Sequence, residues 1–299
     1  MNVQKLEQFR KKTRNIILIG LVITSLLGIL MIVVINAILG VFVLILGAII
    51  TVLIGSKNKK KFDLAFKDLF VLKSLKTVFT DLDYKPEYGI SKDIIKSTQM
   101  MNMGDRYSSN DFISAKYKNF NFIQADVHIE EERDSIDNDG NSDSYWVTLF
   151  KGRWMIFDFN KEFKANIQIR QKGFGNAKVS NWGKKKDDKF KKIALEDVEF
   201  NQKFKVYAQS EHDAFYVLTP SLMRKIINLS NNIQGKILLC FVNNKLHVGL
   251  QNNKDSFEHS IFKKINEESV IENVLKDIKI ITSFVDDLNL DNDLFRKEG

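Results

Sequence analysis

The feature that most constrains this chain is an apolar run across residues 16–54, broken only by Thr24, Ser25, Asn36 and Thr51. A helix of that length extends roughly 60 Å at 1.5 Å per residue. A bilayer's hydrocarbon core is about 30 Å thick and takes roughly twenty residues. One straight span is therefore about twice too long, and two fit, over about 15–35 and 37–54. Asn36 falls between them, where a polar, turn-tolerant residue can sit among headgroups. The expectation is a helical hairpin. The alternative is one continuous tilted helix in which Asn36 hydrogen-bonds to a neighbouring helix. A signal peptide has a much shorter apolar core and a cleavage site, so no cleavage is expected.

The flanks set an expected orientation. Arg10, Lys11, Lys12 and Arg14 precede the first span, and Lys57, Lys59, Lys60 and Lys61 follow the second. Positive residues near spans stay cytoplasmic. A hairpin keeps both clusters inside, with both termini cytoplasmic in a multi-pass plasma-membrane protein. A single span exports one cluster. The first 61 residues hold nine Lys/Arg and one acid, which accounts for the whole net charge of +8. The remainder is balanced, so the high pI reports membrane flanks and no nucleic-acid partner is expected. Cys240 is the single cysteine, so no intrachain disulfide is possible.

The expected division is a membrane anchor (1–61), an α+β cytoplasmic domain (62–290) and a polar tail (291–299). Within the domain, 62–82 has helical spacing through Phe62, Phe66, Leu69, Leu72, Leu75 and Phe79. That helix is expected to pack on the domain that follows it, the alternative being a lipid-facing Phe stripe. Ser91 can cap a short helix over 92–99, and 100–111 reads as a loop anchored by methionines. From 123 the period changes to two, with Ile123, Ala125, Val127 and Ile129 alternating with Gln124, Asp126, His128 and Glu130, as in a half-buried strand. Residues 145–150 and 153–159 look like two central strands separated at Gly152. Further strands are expected over 163–170, 204–208 and 214–218. Thr219 and Pro220 start a helix, Asn243-Asn244 turns a hairpin, and a final helix covers about 267–288. The order gives α+β with a mostly antiparallel sheet and flanking helices.

No hydrolase, metalloprotease, phosphate-loop, redox or kinase signature is present. The four histidines, 128, 212, 247 and 259, are scattered. The acidic segment 130–143 lacks the terminal glutamate of a calcium loop. Lys184, Lys185 and Lys186 lie in a lysine-rich loop that could touch anionic lipid, the alternative being a solvated loop. An unrecognised enzyme site would need Arg153, Asp158, Glu199 and His212 to converge. The expected function is a non-enzymatic module that binds or scaffolds a protein partner, without cofactor or metal. The alternative is a lipid- or small-ligand-binding domain held at the membrane.

The segments "YSSNDFISAKYKNFNFIQADVHIE", "FKGRWMIFDFNKEFKANIQI", "LEDVEFNQKFKVYAQSEHDAFYVLTPSLM", "CFVNNKLHVGL" and "DSFEHSIF" resemble an uncharacterised bacterial membrane-protein family, domain of unknown function 3137. The resemblance covers most of 83–290. It implies a two-helix anchor carrying an α+β domain. It implies no activity and no catalytic residues. Through its gene neighbourhoods it also implies a LemA-type membrane protein as a partner.

Overall fold

The computed structural model describes residues 1–118, 120–136, 142–158, 166–174 and 190–288. The chain forms two compact units. The first comprises Met1–Thr77 and Phe257–Leu275, the second Val78–Ser256 and Lys276–Gly299.

The first unit is helical. Helix α1 (Val3–Val34) and helix α2 (Ala37–Phe66) are antiparallel neighbours joined by two residues. A five-residue π-helical turn, Lys67–Val71, joins α2 to α3 (Leu72–Val78), so helix continues from Ala37 to Val78. The expected helix over 62–82 is thus a continuation of the second apolar helix. It stops four residues early, because Thr80 pairs as a strand.

The second unit holds one antiparallel sheet of nine strands in the order β1-β2-β3-β4-β9-β8-β5-β7-β6. In chain order these are β1 (Thr80–Lys85), β2 (Arg106–Tyr117), β3 (Phe120–Ile136), β4 (Ser142–Asp158), β5 (Ile167–Gln171), β6 (Lys191–Ile193), β7 (Phe204–Ala208), β8 (Lys236–Val242) and β9 (Lys245–Gln251). The helices are α4 (Lys92–Ser97), α5 (Val198–Lys203), α6 (Glu211–Val217), α7 (Pro220–Asn232) and α8 (Glu267–Leu288). The α+β class expected from the sequence is what the chain forms.

Two local signals act as expected. Thr219 accepts from the Leu222 N–H with Pro220 at the first helical position. Asn243 and Asn244 have φ of 50° and 57°, the left-handed pair that a two-residue hairpin turn needs.

Other local expectations fail. Residues 106–111 are strand, not loop, because β2 pairs with β3 from Arg106 onward. The stretches either side of Gly152 are one strand. Gly152 has φ 151°, and a Cβ there would meet the Leu250 carbonyl oxygen at 2.0 Å. Its role is close approach of β9 rather than a turn. Residues 214–218 belong mainly to α6, which Ser210 caps by accepting the Asp213 N–H at 3.2 Å. Ser91 stands at the N-cap of α4 but makes no capping bond with its side chain.

The sheet is buried on both faces at β3 and β4. On one side Ala125, Val127, Ile129, Phe150 and Trp154 join Ile90, Ile95, Met100, Leu238 and Cys240. On the other, Phe122 and Phe157 meet Phe79 and Phe284 of α8. The expected half-buried strand is therefore covered twice, and its polar residues Gln124 and Asp126 are buried.

Candidate functional site: an apolar hairpin with a polar collar

Asn36 begins α2. Its side chain accepts the Ile38 N–H at 2.8 Å while the backbone is extended at φ −162°, ψ 137°. This satisfies one of the orphan donors of a helix start. The run is thereby broken into two helices, each long and apolar enough to cross a membrane.

The two helices meet along small residues. A Cβ added at Gly28 would meet Leu44 at 2.3 Å, at Gly47 Thr24 at 2.5 Å, and at Gly20 Thr51 at 2.7 Å. At Gly40 it would meet Ile32 Cγ1 at 2.2 Å and backbone atoms of Ile32 and Gly28 at 2.7 and 2.8 Å. Close approach through small residues is how helices pack where lipid removes the hydrophobic drive. Apart from that seam, most large apolar side chains from Leu18 to Ile54 are exposed, with Val33 at 77% and Ile38 at 80%. A core helix of a soluble protein hides one face; these hide almost none.

Below the apolar run, the flanking residues form a collar with the segment 257–266. Arg10 is buried. Its Nη2 and Nε donate to the two Glu7 carboxylate oxygens, both at 2.8 Å, and its Nη1 donates to the Ile261 carbonyl. Glu7 also accepts the Ile265 N–H at 3.2 Å. On α2, Lys59 pairs with Asp63 at 2.6 Å, and Lys67 pairs with Glu258 at 2.8 Å. His259 stacks on Phe66 with ring centroids 5.2 Å apart, near Phe62. Burial holds its imidazole below the ordinary histidine range. Phe62 and Phe66 are buried in this contact, so the Phe stripe packs on protein.

The sequence grouped Arg10 with the solvated basic flanks, and the structure separates it. Lys11, Lys12, Lys57, Lys59, Lys60 and Lys61 are exposed and Arg14 is half-buried beside Asn15. Sequence reading missed Glu7, Lys67 and Glu258, and took His259 as one of four scattered histidines. The Glu7–Arg10 spacing of three on a helix was the available signal. Lys184, Lys185 and Lys186 lie outside the described residues, as does part of the acidic segment 130–143. A cleft of about 250 Å³ in the first unit is lined by Val3, Leu69, Phe70, Lys73, Glu267 and Ile271, among others.

The second unit contains a buried ionic cluster that the sequence did not reveal. Asp126 and Arg153 face each other across β3 and β4. Asp126 accepts the Ser256 N–H, and the Ser256 hydroxyl at 2.8 Å. Arg153 donates to Ser256 Oγ at 2.5 Å and pairs with Asp277 of α8 at 2.6 Å. Buried Asp111, at φ 56° in a β2 bulge, accepts from Tyr84 at 2.6 Å. Burial pushes the Asp126 carboxyl up to about 7; Arg153 opposes this and Asp111 adds to it.

Arg153 is thus committed to this cluster. Asp158 is paired with Lys245 at 3.2 Å on the surface, and Glu199 and His212 are exposed on α5 and α6. The four residues considered for an enzyme pocket do not converge. His247 accepts from the Trp154 indole at 3.4 Å and is held down to about 4 by burial, chiefly, and by Lys245. It is a neutral core residue. Cys240 is buried, which raises its thiol pKa. Among the described residues no group of His, Cys, Asp and Glu has the arrangement of a metal site.

Fold and site together define a class: a chain with two helices fit to cross a membrane and a large antiparallel sheet. Residues 148–290 match the model of a family described as Protein of unknown function (DUF3137). That match bears out, over residues 148–290, the resemblance its motifs implied; the motif at 107–130 falls outside the matched stretch. No curated protein matches the chain. Among solved structures, the crystal structure of the mycobacterial trehalose monomycolate transport factor A, TtfA, is similar at 10% identity and a TM-score of 0.41, over 76% of this chain and 94% of that one.

Proposed function

We infer that the chain crosses a membrane twice and holds its sheet unit at the cytoplasmic surface as a binding or scaffolding module for a protein partner, without chemistry of its own. The observation that carries the membrane part is the exposure of the paired apolar helices. Burying a Leu or Ile side chain is worth about 1.5–3 kcal/mol, so a solvated pair with this surface is untenable. The basic residues Lys11, Lys12, Arg14, Lys57, Lys60 and Lys61 all flank the open end of the hairpin, which supports retention of both termini inside. The non-catalytic part is supported by the buried cluster, whose named groups bond one another beneath α8.

Reporters fused before Met1 and after Gly299 test the topology. Both are expected to read cytoplasmic; opposite compartments refute it. Proximity labelling from the C-terminus tests the module: a reproducible membrane-proximal set, in which a LemA-type protein is one candidate, is expected. Bulk cytosolic background alone counts against it. A lipid- or small-ligand-binding role is the second reading. It is favoured by the cleft, where Val3, Leu69, Phe70 and Ile271 stand beside Lys73 and Glu267. A fluorescent fatty acid that competes with no unlabelled one would remove it.

A further inference from the structure

The segment 257–266 alternates what it hides and what it shows. Phe257, Ile261 and Ile265 are buried, whereas Phe262 is 60% exposed and Lys263 and Lys264 are exposed beside it. An aromatic ring held in water on a turn is a cost unless something covers it. The turn is fixed by its own bonds. The Lys263 N–H donates to the Ser260 carbonyl at 3.0 Å, the Phe262 N–H to Ser260 Oγ at 3.3 Å, and His259 Nε2 to the Lys263 carbonyl at 3.1 Å.

Its height along the hairpin is fixed as well. The Ile261 carbonyl is held by Arg10 and the Ile265 N–H by Glu7. As α1 rises from Glu7 to Arg10, the segment therefore runs back from 265 to 261, which places 260–262 at its upper end. Arg10 lies six residues before the apolar run, about 9 Å at 1.5 Å per residue. Each headgroup layer is about 5–7 Å deep. Measured along α1, the turn thus stands within a side chain's length of the headgroups.

We propose that the turn 260–264 is a lipid-contact element: Phe262 enters the interfacial layer and Lys263 and Lys264 hold anionic headgroups of the inner leaflet. This rests on the reading of residues 16–54 as membrane-embedded and names the partner of that anchor. An aromatic ring prefers the interface. Lysines near an anionic surface contribute about 1 kcal/mol each, so two give a preference of about 30-fold for anionic over neutral lipid. The effect is to pin the collar, through Arg10 and Glu7, to the membrane surface.

The test uses the full chain in vesicles of phosphatidylcholine alone or mixed with phosphatidylglycerol. A nitroxide is attached at Phe262→Cys, with Ser269→Cys as the water-exposed reference; Cys240 is buried and gives no background. Collision with a water-soluble nickel chelate is expected to be severalfold lower at 262 than at 269 in anionic vesicles. Lys263→Glu with Lys264→Glu, or neutral vesicles, should abolish that protection. Equal collision at the two sites, or protection indifferent to charge reversal, overturns the proposal. In either case resistance to alkaline carbonate extraction keeps the anchor reading intact. Extraction by carbonate overturns the anchor reading and this proposal with it.

Discussion

Asp126→Asn isolates the energetic consequence of burying a carboxyl at the Arg153 cluster. Asp126 is 1% exposed, and its pKa rises from the ordinary 3.8 to about 7. A shift of roughly three units corresponds to about 4 kcal/mol at 1.36 kcal/mol per unit. The sign comes from proton uptake. Between about pH 4 and 7 the folded chain binds this proton and the unfolded chain does not, so the group's contribution to stability falls as pH rises through that window. Asparagine is similar in shape, can accept from Ser256, and does not titrate. The stability of Asp126→Asn relative to the natural chain should therefore rise by about 4 kcal/mol between pH 4 and 8. The assay is urea unfolding of the detergent-solubilised full chain, followed by tryptophan emission with Trp154 fully buried as reporter. Other carboxylates titrate in both proteins and cancel in the difference. A difference that is flat with pH refutes the reasoning, because the carboxyl would then be ionised in the fold as easily as in the unfolded chain.

The same packing sets three further outcomes. Arg153→Met leaves Asp126 and Asp277 without this cation, and should lower stability in urea by about 3–5 kcal/mol. Gln124→Met should raise it by about 1–3 kcal/mol, since both polar atoms of the Gln124 amide are buried with no hydrogen-bond partner among the described residues. Gly40→Ala should lower the melting temperature of the helix pair, read by ellipticity in detergent, more than Gly47→Ala. The first adds a methyl against backbone of Ile32 and Gly28, the second against the movable Thr24 side chain.

The helical hairpin, the α7 start, the β8–β9 turn and α8 were legible because each is written in local chemistry. Asn36, Thr219-Pro220 and Asn243-Asn244 are cap or turn residues whose preference acts within four positions. The glycines facing Thr24, Leu44 and Thr51, which mark the seam, were not read from the sequence. The failures lie where partners distant in sequence decide. Pairing with β3 makes Arg106 to Asp111 a strand, and pairing with β9 places Gly152 within a strand. Gln124, Asp126 and His128 alternate like a solvated face, but Phe284 and Asp277 of α8, far along the chain, lie over the sheet there. Arg10 has the composition of a membrane flank, and its burial depends on the Ile261 carbonyl 251 positions away. No single-sequence pattern announces such a contact.

The central claim is that the break at Asn36 lies outside the membrane while both basic flanks stay within. Asn36→Cys in the full chain, expressed in intact cells and challenged with a membrane-impermeant maleimide, tests it most directly. Buried Cys240 supplies no competing thiol. The account predicts rapid labelling at position 36 from outside, whereas cysteines placed at Lys12 and Lys60 label only after the membrane is opened. Protection of position 36 until lysis, or labelling at Lys12 or Lys60 in intact cells, would contradict it.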